Sequence, residues 1–150
     1  ISNLPYNISI KLIINWLKMK NQFKYLILMI QKEVAQKMNY KNSLKKNRLN
    51  LLMEITSDYK IEFNVSNNVF FPKPKINSSV IKIIPKKTSL NINDFENFTR
   101  EIFKYKRKKL SKVLNLNKFI IQNSKDSLME KRAEDLSKDE LIKIFKEFYN

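Results

Sequence analysis

The sequence predicts an α/β layer followed by a small helical region. Two patterns lead to this expectation. Through residue 86, apolar runs of strand length alternate with stretches of helical spacing, the pattern of a parallel sheet flanked by helices. From residue 91 onward the apolar spacing is three and four, and strand patterning is lost. At 150 residues, 43% of them hydrophobic, the chain can bury a real core in one or two small domains.

Taken in order, Ile1-Ser2 ends a buried strand and places Asn3 at its C-terminal edge, where open α/β sheets hold ligands. Ser9 to Met19 is a helix with Ile10, Ile13, Ile14 and Leu17 apolar, Trp16 alongside and Ser9 as N-cap. Phe23 to Ile30 is apolar apart from Lys24 and reads as a central strand buried on both faces. Gln31 to Met38 returns as a short helix. Residues 39–47 form a polar loop, in which Lys41, Lys45 and Lys46, with Arg48 just beyond, are candidate phosphate contacts. Leu49 to Ile55 is helical, and Lys60 to Val65 alternates as a strand through Ile61, Phe63 and Val65. Pro72 and Pro74 make residues 69–79 a stiff loop, because proline fits neither a helix interior nor a central strand. Val80 to Ile84 is a strand stopped by Pro85.

The polar stretch 85–91, with its lysine pair, is the expected boundary between domains at 1–86 and 87–150. Beyond it Asp94 to Tyr105 is a helix with Phe95, Phe98, Ile102 and Tyr105 on one face. Arg100, Lys104, Lys106, Arg107, Lys108, Lys109 and Lys112 form a basic stripe interleaved with Tyr105, Leu110 and Val113, a pattern suited to RNA phosphates. Phe119 to Ile121 is a short apolar element. Ser137 and Glu140 make a capping box that opens a last helix with Leu141, Ile142, Phe145 and Phe148 inward.

Composition excludes several kinds of chemistry. With no Cys and no His, the chain has no disulfide, no thiolate metal site and no Ser-His or Cys-His nucleophile pair. With no Gly, it has no glycine-rich turn to cradle a nucleotide cofactor. No apolar run reaches membrane-spanning length and no signal peptide is visible, so a cytoplasmic location is expected. The net charge of +16 favours a polyanionic partner, nucleic acid before membrane, although low-GC coding accounts for part of the excess. Residues 1–86 hold 15 Lys and Arg against 4 acids, net +11; residues 87–150 hold 15 against 10, net +5.

Asn3-Leu4-Pro5-Tyr6 combines a carboxamide, a stiffened backbone and an aromatic ring, as a site that grips the exocyclic amine of a flat base requires. It resembles the N-[LIP]-P-Y motif of adenine-N6 methyltransferases. The N6 lone pair of adenine is delocalised into the ring, which makes N6 a poor nucleophile. Two acceptors that take its two hydrogens would aim that lone pair at a methyl donor. The Asn3 side-chain oxygen is one candidate acceptor, and the Leu4 carbonyl, oriented by Pro5, is the other. Tyr6 offers a stacking face, and Phe70 closes the base from the opposite side if the two segments meet. Phe71 is expected in the core.

Five segments in order are similar to the ribosomal RNA adenine dimethyltransferase family over essentially the whole chain. Asn3 to Ser9 resembles its catalytic loop, and Gln31-Lys32-Glu33-Val34-Ala35 the exit of its fifth strand. Residues 70–79 resemble the F-x-P-x-P-K-V-[DN]-S loop, Arg107-Lys108-Lys109-Leu110 the R-R-K-x-L segment, and Arg132 to Ser137 the R-A-E-x-L-S segment. The resemblance implies the C-terminal part of a Rossmann-like methyltransferase domain (1–86) followed by a small all-α docking domain (87–150). It implies S-adenosylmethionine as donor and two adjacent adenosines near the 3′ end of small-subunit rRNA, each dimethylated at N6. It implies catalytic roles for Asn3, Leu4, Pro5 and Tyr6, with Asn3 also at the cofactor and Tyr6 and Phe70 on the base. Arg48, Lys73, Lys75, Arg100, Lys104, Arg107, Lys108 and Lys109 are the expected RNA contacts, and a monomer docked on a 30S-type particle the expected assembly.

The chain departs from the family at Lys46-Asn47-Arg48-Leu49, usually Tyr-Gly-Arg-Leu, although Asn tolerates a left-handed backbone, and again at Tyr105-Lys106-Arg107. The family's glycine-rich motif and acidic ribose-binding residue do not occur in these residues. The chain is therefore expected to be the C-terminal part of a longer protein, and not to bind donor well or turn over alone. Three other readings stay open. One is the erythromycin-resistance class, which acts on large-subunit rRNA and whose F-x-P-K-P-K-V-N-S-S loop is very near residues 70–79. The second is a non-catalytic assembly factor. The third, DNA adenine methylation, fits the tetrapeptide alone.

Overall fold

β2 (Leu26–Gln31) is the spine of a four-stranded sheet ordered β1-β2-β4-β3. β1 (Ser2–Asn3) runs parallel to it, pairing Ser2 with Leu28 and Asn3 with Met29. On its other side β4 (Ser78–Pro85) runs antiparallel, and β3 (Ser57–Val65) pairs antiparallel with β4. The structure, a computed structural model, describes residues 1–19, 22–41, 43, 46–105, 107–116 and 127–149. Lys45, Lys106 and Phe119–Ile121, named from sequence, lie outside the described residues. The chain divides into two compact units, residues 1–43 with 52–89 and residues 44–51 with 90–150.

The sheet is mixed, not parallel throughout as expected. A parallel return needs a crossover of a dozen or more residues, usually helical. The segment between β3 and β4 holds only a 3₁₀ turn (Asn67–Val69) and two prolines, so the chain folds back as a hairpin. A register shift between Ile61 and Phe63 bends β3 and leaves Phe63 exposed.

β2 begins later than predicted. Tyr25 is exposed with Lys82 Nζ 5.5 Å above its ring, and Phe23 packs on Trp16 at 6.3 Å. Leu26, Leu28 and Ile30 are buried, but Ile27 and Met29 are only half-buried, so one face of the strand stays partly open. Ile1, Ser2 and Asn3 are exposed, against the expected buried strand, because β1 has a strand partner on one side only among the described residues. Ile81 and Ile83 of β4 complete the core with Leu28, Ile30 and Ile13. Each such side chain contributes about 1.5–3 kcal/mol by leaving water.

The helices of this unit are α1 (Ser9–Lys18), α2 (Lys32–Met38) and α3 (Arg48–Thr56), the last continuing from residues 48–51 of the second unit. α1 buries Ile13 and Leu17, while Ile10 is exposed. Ile8, not Ser9, holds the N-cap position. Ser9 is the first residue inside the helix, is fully buried, and its hydroxyl donates back to the Tyr6 carbonyl at 3.2 Å. Asn47 caps α3: its side-chain oxygen accepts from Asn50 N–H while Asn50 returns the bond to Asn47 N–H, both at 2.9 Å. The Thr56 and Ser57 hydroxyls donate to the Leu52 and Met53 carbonyls at 2.6 and 2.9 Å, closing the helix just as β3 starts. Tyr59 donates to the Ala35 carbonyl at 2.7 Å, and burial pushes its phenol pKa up.

The second unit is helical: α4 (Ile92–Ile102), α5 (Leu110–Leu116) and α6 (Lys138–Tyr149), with 3₁₀ turns at Ser127–Glu130 and Ala133–Asp135. Asn91 caps α4 by accepting from Asn93 and Asp94 N–H, so the helix starts two residues before the predicted Asp94. Phe95, Phe98 and Phe145 form a triangle with ring centroids 5.1–6.1 Å apart. The Ser137–Glu140 box is present, with bonds of 2.7 and 3.2 Å. Behind it Leu141, Ile144 and Phe145 are buried, whereas Ile142 and Phe148 are half-buried.

The basic stripe is not one helix. α4 stops at Ile102, turns follow through Lys104 and Lys108, and Leu110 N–H bonds the Lys131 carbonyl at 3.0 Å. Lys109 and Arg132 form an isolated bridge that pins this start of α5.

Candidate functional site

The Asn-Leu-Pro-Tyr segment leaves β1 under tight local control. Leu4 N–H extends the ladder to the Met29 carbonyl at 3.1 Å, and the Leu4 side chain is buried. The Pro5 carbonyl accepts from Ile8 N–H at 3.3 Å, and the Tyr6 carbonyl from the Ser9 hydroxyl. The Leu4 carbonyl has no such partner among the described residues. Asn3 is exposed at the strand's carboxyl end.

Tyr6 is half-buried, and its phenolic oxygen lies 2.6 Å from the Ser78 hydroxyl. Ser78 is fully buried at the start of β4. Asn67 braces the loop that precedes it: its N–H bonds Asn77 Oδ1 at 3.0 Å and its Nδ2 donates to the Pro74 carbonyl at 3.1 Å. Lys32 N–H ties the Asn77 carbonyl to the end of β2 at 3.0 Å. The Phe71–Pro72 peptide is cis.

These two segments meet in an open cleft of about 400 Å³ within the first unit, walled by Asn3, Leu4, Pro5, Tyr6, Met29 and Phe70, with Phe71, Pro72 and Pro74 at the loop side. That volume lies in the range of small-molecule sites. Asn3, Tyr6 and Phe70 are thus brought together, as the sequence anticipates. Phe71 is fully exposed, not in the core: the braced loop and its flanking prolines hold the ring outward. A second cavity, of about 160 Å³, is lined in part by Tyr59, Asp58 and Lys86, the last two ion-paired at 3.2 Å.

The predicted basic residues separate into two groups. Lys73 and Lys75 are exposed on the loop beside the cleft. Lys104, Arg107, Lys108 and Lys109 are exposed in the second unit. Lys104 and Lys108 stand over the Tyr105 ring at 5.5 and 5.1 Å, and Lys109 pairs with Glu130 at 2.6 Å. Arg48 and Arg100 are placed differently, both bonded to the buried carboxylate of Glu96 (Arg100 at 3.3 Å).

Sequence reading missed Ser78, Asn67, Met29 and Glu96 as parts of these arrangements. Ser78 lay within the 70–79 segment and Met29 on the alternation of β2, so each carried a faint signal. Nothing local marks Glu96 as the partner of an arginine 48 residues away. Among the described residues no cluster of three acidic, His or Cys side chains could hold a metal, and no helix is long and apolar enough to cross a membrane.

A cleft at the carboxyl end of a parallel strand pair is the usual ligand position of open α/β sheets, and this chain has the mixed α/β fold of the Rossmann-like methyltransferases. A solved dimethyladenosine transferase from Plasmodium falciparum superposes with a TM-score of 0.77 at 28% identity, covering 97% of this chain and 64% of that one. The 23S rRNA methyltransferase ErmE superposes with a TM-score of 0.68 over 99% of this chain and 64% of its own, a likeness of fold alone at 16% identity. The family model described as Ribosomal RNA adenine dimethylase matches residues 1–150, and the chain belongs to that family. It is 38% identical over 145 residues to the Ribosomal RNA small subunit methyltransferase A of Wolbachia sp. subsp. Drosophila simulans (strain wRi), covering 91% of this chain and 53% of that protein. It is 37% identical over 160 residues to the protein of the same name from Malacoplasma penetrans (strain HF-2), covering 100% of this chain and 58% of that protein. The chain spans about half the length of the curated relatives it matches.

Proposed function

We propose that the intact protein transfers methyl groups to N6 of two adjacent adenosines near the 3′ end of small-subunit rRNA. The observation that supports this most is the cleft in which Asn3, Leu4, Tyr6 and Phe70 share one wall-to-wall space. In it Asn3 Oδ1 and the Leu4 carbonyl accept hydrogen bonds from the two N6–H groups of the unmethylated base, the N6 lone pair points out of the ring plane, and N6 releases one proton for each methyl group it gains. Tyr6 and Phe70 hold the base between them. Stacking of this kind contributes about 1–3 kcal/mol per base, comparable with the few kcal/mol needed to extrude one. Catalysis then rests on positioning for in-line transfer.

The donor is S-adenosylmethionine, which when bound supplies an electrophilic methyl group. The neutral lining fits the acceptor side of that reaction: the cleft presents an amide, a carbonyl and aromatic rings, and its described lining carries no carboxylate. Asn3, at the strand end, is the residue of this chain that touches both donor and base. Residues 1–86 act as the C-terminal part of the catalytic domain and residues 87–150 as the docking domain, on a 30S-type particle, as a cytoplasmic monomer. Lys73 and Lys75 beside the cleft, with Lys104, Arg107, Lys108 and Lys109, meet RNA phosphates.

The test is methyl transfer by the intact protein from labelled S-adenosylmethionine, with unmethylated small-subunit particles and naked large-subunit rRNA offered side by side. Label mapped as N6-dimethyladenosine on the small subunit is the expected result. Label on the large subunit moves the assignment to the erythromycin-resistance class. Tight particle binding with no label on either makes the protein an assembly factor.

A further inference from the structure

We infer that Phe71 is a second base platform, which stacks on the nucleotide next to the adenosine held in the cleft. The inference rests on the base-binding reading above. Phe70 and Phe71 are adjacent in sequence and both border the cleft, yet they differ in environment: Phe70 is half-buried and Phe71 is fully exposed. A phenylalanine left entirely in water forgoes about 1.5–3 kcal/mol of burial. Here the loop prevents its collapse, because Asn67 clamps the Pro74 carbonyl and the Asn77 backbone is tied to Lys32 N–H. The ring is therefore presented on a stiff support, which lowers the entropy lost when a flat ligand lands on it.

The chemistry around the ring specifies that ligand. Lys73 and Lys75 are exposed two and four residues further on, where they can meet the phosphates on either side of a stacked nucleotide. An aromatic platform with cations spaced along the backbone path is how single-stranded nucleic acid is held without regard to sequence. When one of two adjacent adenosines is extruded into the cleft, its neighbour loses a stacking partner and lies at the rim. Phe71 replaces that partner. The ring thereby holds the strand in register while the base in the cleft is exchanged for the next.

The test uses the intact protein and a short rRNA stem-loop carrying the adjacent adenosines, with the nucleotide 5′ or 3′ of the target made abasic in turn. Affinity is read by fluorescence anisotropy. F71A is expected to weaken binding about tenfold or more, and one abasic substitution to weaken the wild type similarly. The two losses should not add when combined. F71Y and F71W should restore affinity, and F71L, apolar but without a π-face, should not. Additive losses at both flanks, or F71L binding like the wild type, overturn the inference. A large fall in melting temperature for F71A with unchanged RNA affinity also overturns it, because the ring then packs against protein. Wild-type methyl transfer to small-subunit particles is run in parallel: its absence defeats the reading of the cleft itself, whereas its presence with additive losses defeats only the role of Phe71.

Discussion

The phenolic oxygen of Tyr6 and the hydroxyl of Ser78 lie 2.6 Å apart, although 72 residues separate them in the chain. The bond crosses from the end of the β1 segment to the first residue of β4, and so sets the Tyr6 ring within the cleft wall. Because Ser78 is fully buried, its hydroxyl has no water to replace a lost partner. Tyr6→Phe and Ser78→Ala should each destabilise the protein by about 1–2 kcal/mol in chemical denaturation. The double variant should lose clearly less than the sum of the two. Methyl transfer should fall in both single variants, and simple additivity of the stabilities would show that the bond does not couple these residues.

Asn3→Ala in the intact protein should reduce turnover by roughly two orders of magnitude, the scale of removing one group that positions reacting atoms. RNA affinity should stay within a few-fold, since most of it comes from phosphates and stacking. Equal loss of both quantities would remove Asn3 from the chemistry.

Glu96 holds Arg48 and Arg100 in the second unit. Its carboxylate is buried while both guanidinium groups are partly exposed, so Glu96→Ala should cost about 1–3 kcal/mol of stability by leaving two cations without their partner. Urea unfolding of the variant reads this directly.

Lys104 and Lys108 stand on Tyr105, and no acidic partner of either is among the described ion pairs. Substituting either by Ala should weaken RNA binding uniformly across sequences and reduce the slope of log K against log salt by about one. Arg48→Ala should change that slope less, since its guanidinium is held on the buried Glu96 carboxylate. Slopes measured between low and moderate salt separate the two classes.

Lys131 and the backbone and hydroxyl of Ser137 hold the Glu140 carboxyl below its ordinary value of 4.5. A carboxylate whose folded pKa is depressed contributes stability above its unfolded value and loses it as pH falls through the folded value. Wild-type stability should therefore decline more steeply than that of Glu140→Gln as pH drops below about 4.5, and the two acid limbs, followed by circular dichroism, should converge at the lowest pH. Parallel limbs would mean that the cap contributes nothing ionic.

Much of the fold was legible because its signals are local. The alternation in β3, the three-and-four spacing of Phe95, Phe98 and Ile102, and the Ser137–Glu140 box each lie within one or two turns of chain, and all three elements form, although β3 starts at Ser57 and α4 runs from Ile92 only to Ile102. Ser9 misled because a serine ahead of an apolar run looks like a cap, whereas the helix begins one residue earlier, with Ile8 at the cap position and Ser9 already inside it. The basic run from Arg100 to Lys112 read as one helical stripe, but helical periodicity is blind to the stop of α4 at Ile102 and to the bridge from Lys109 to Arg132 that precedes α5.

Asn3, Leu4, Pro5, Tyr6 and Phe70 of the cleft were named from the chain alone, because Asn3-Leu4-Pro5-Tyr6 and the Pro72–Pro74 loop have backbone conformations that their own prolines restrict, whereas Met29 was not. Strand direction, the outward turn of Phe71, the tie from Tyr6 to Ser78 and the capture of two arginines by Glu96 came only with the folded molecule. Each depends on a contact between segments distant in sequence, or on which neighbour reaches a polar group first. Such contacts are settled by packing and by the need to satisfy buried donors and charges, and local propensity does not record them.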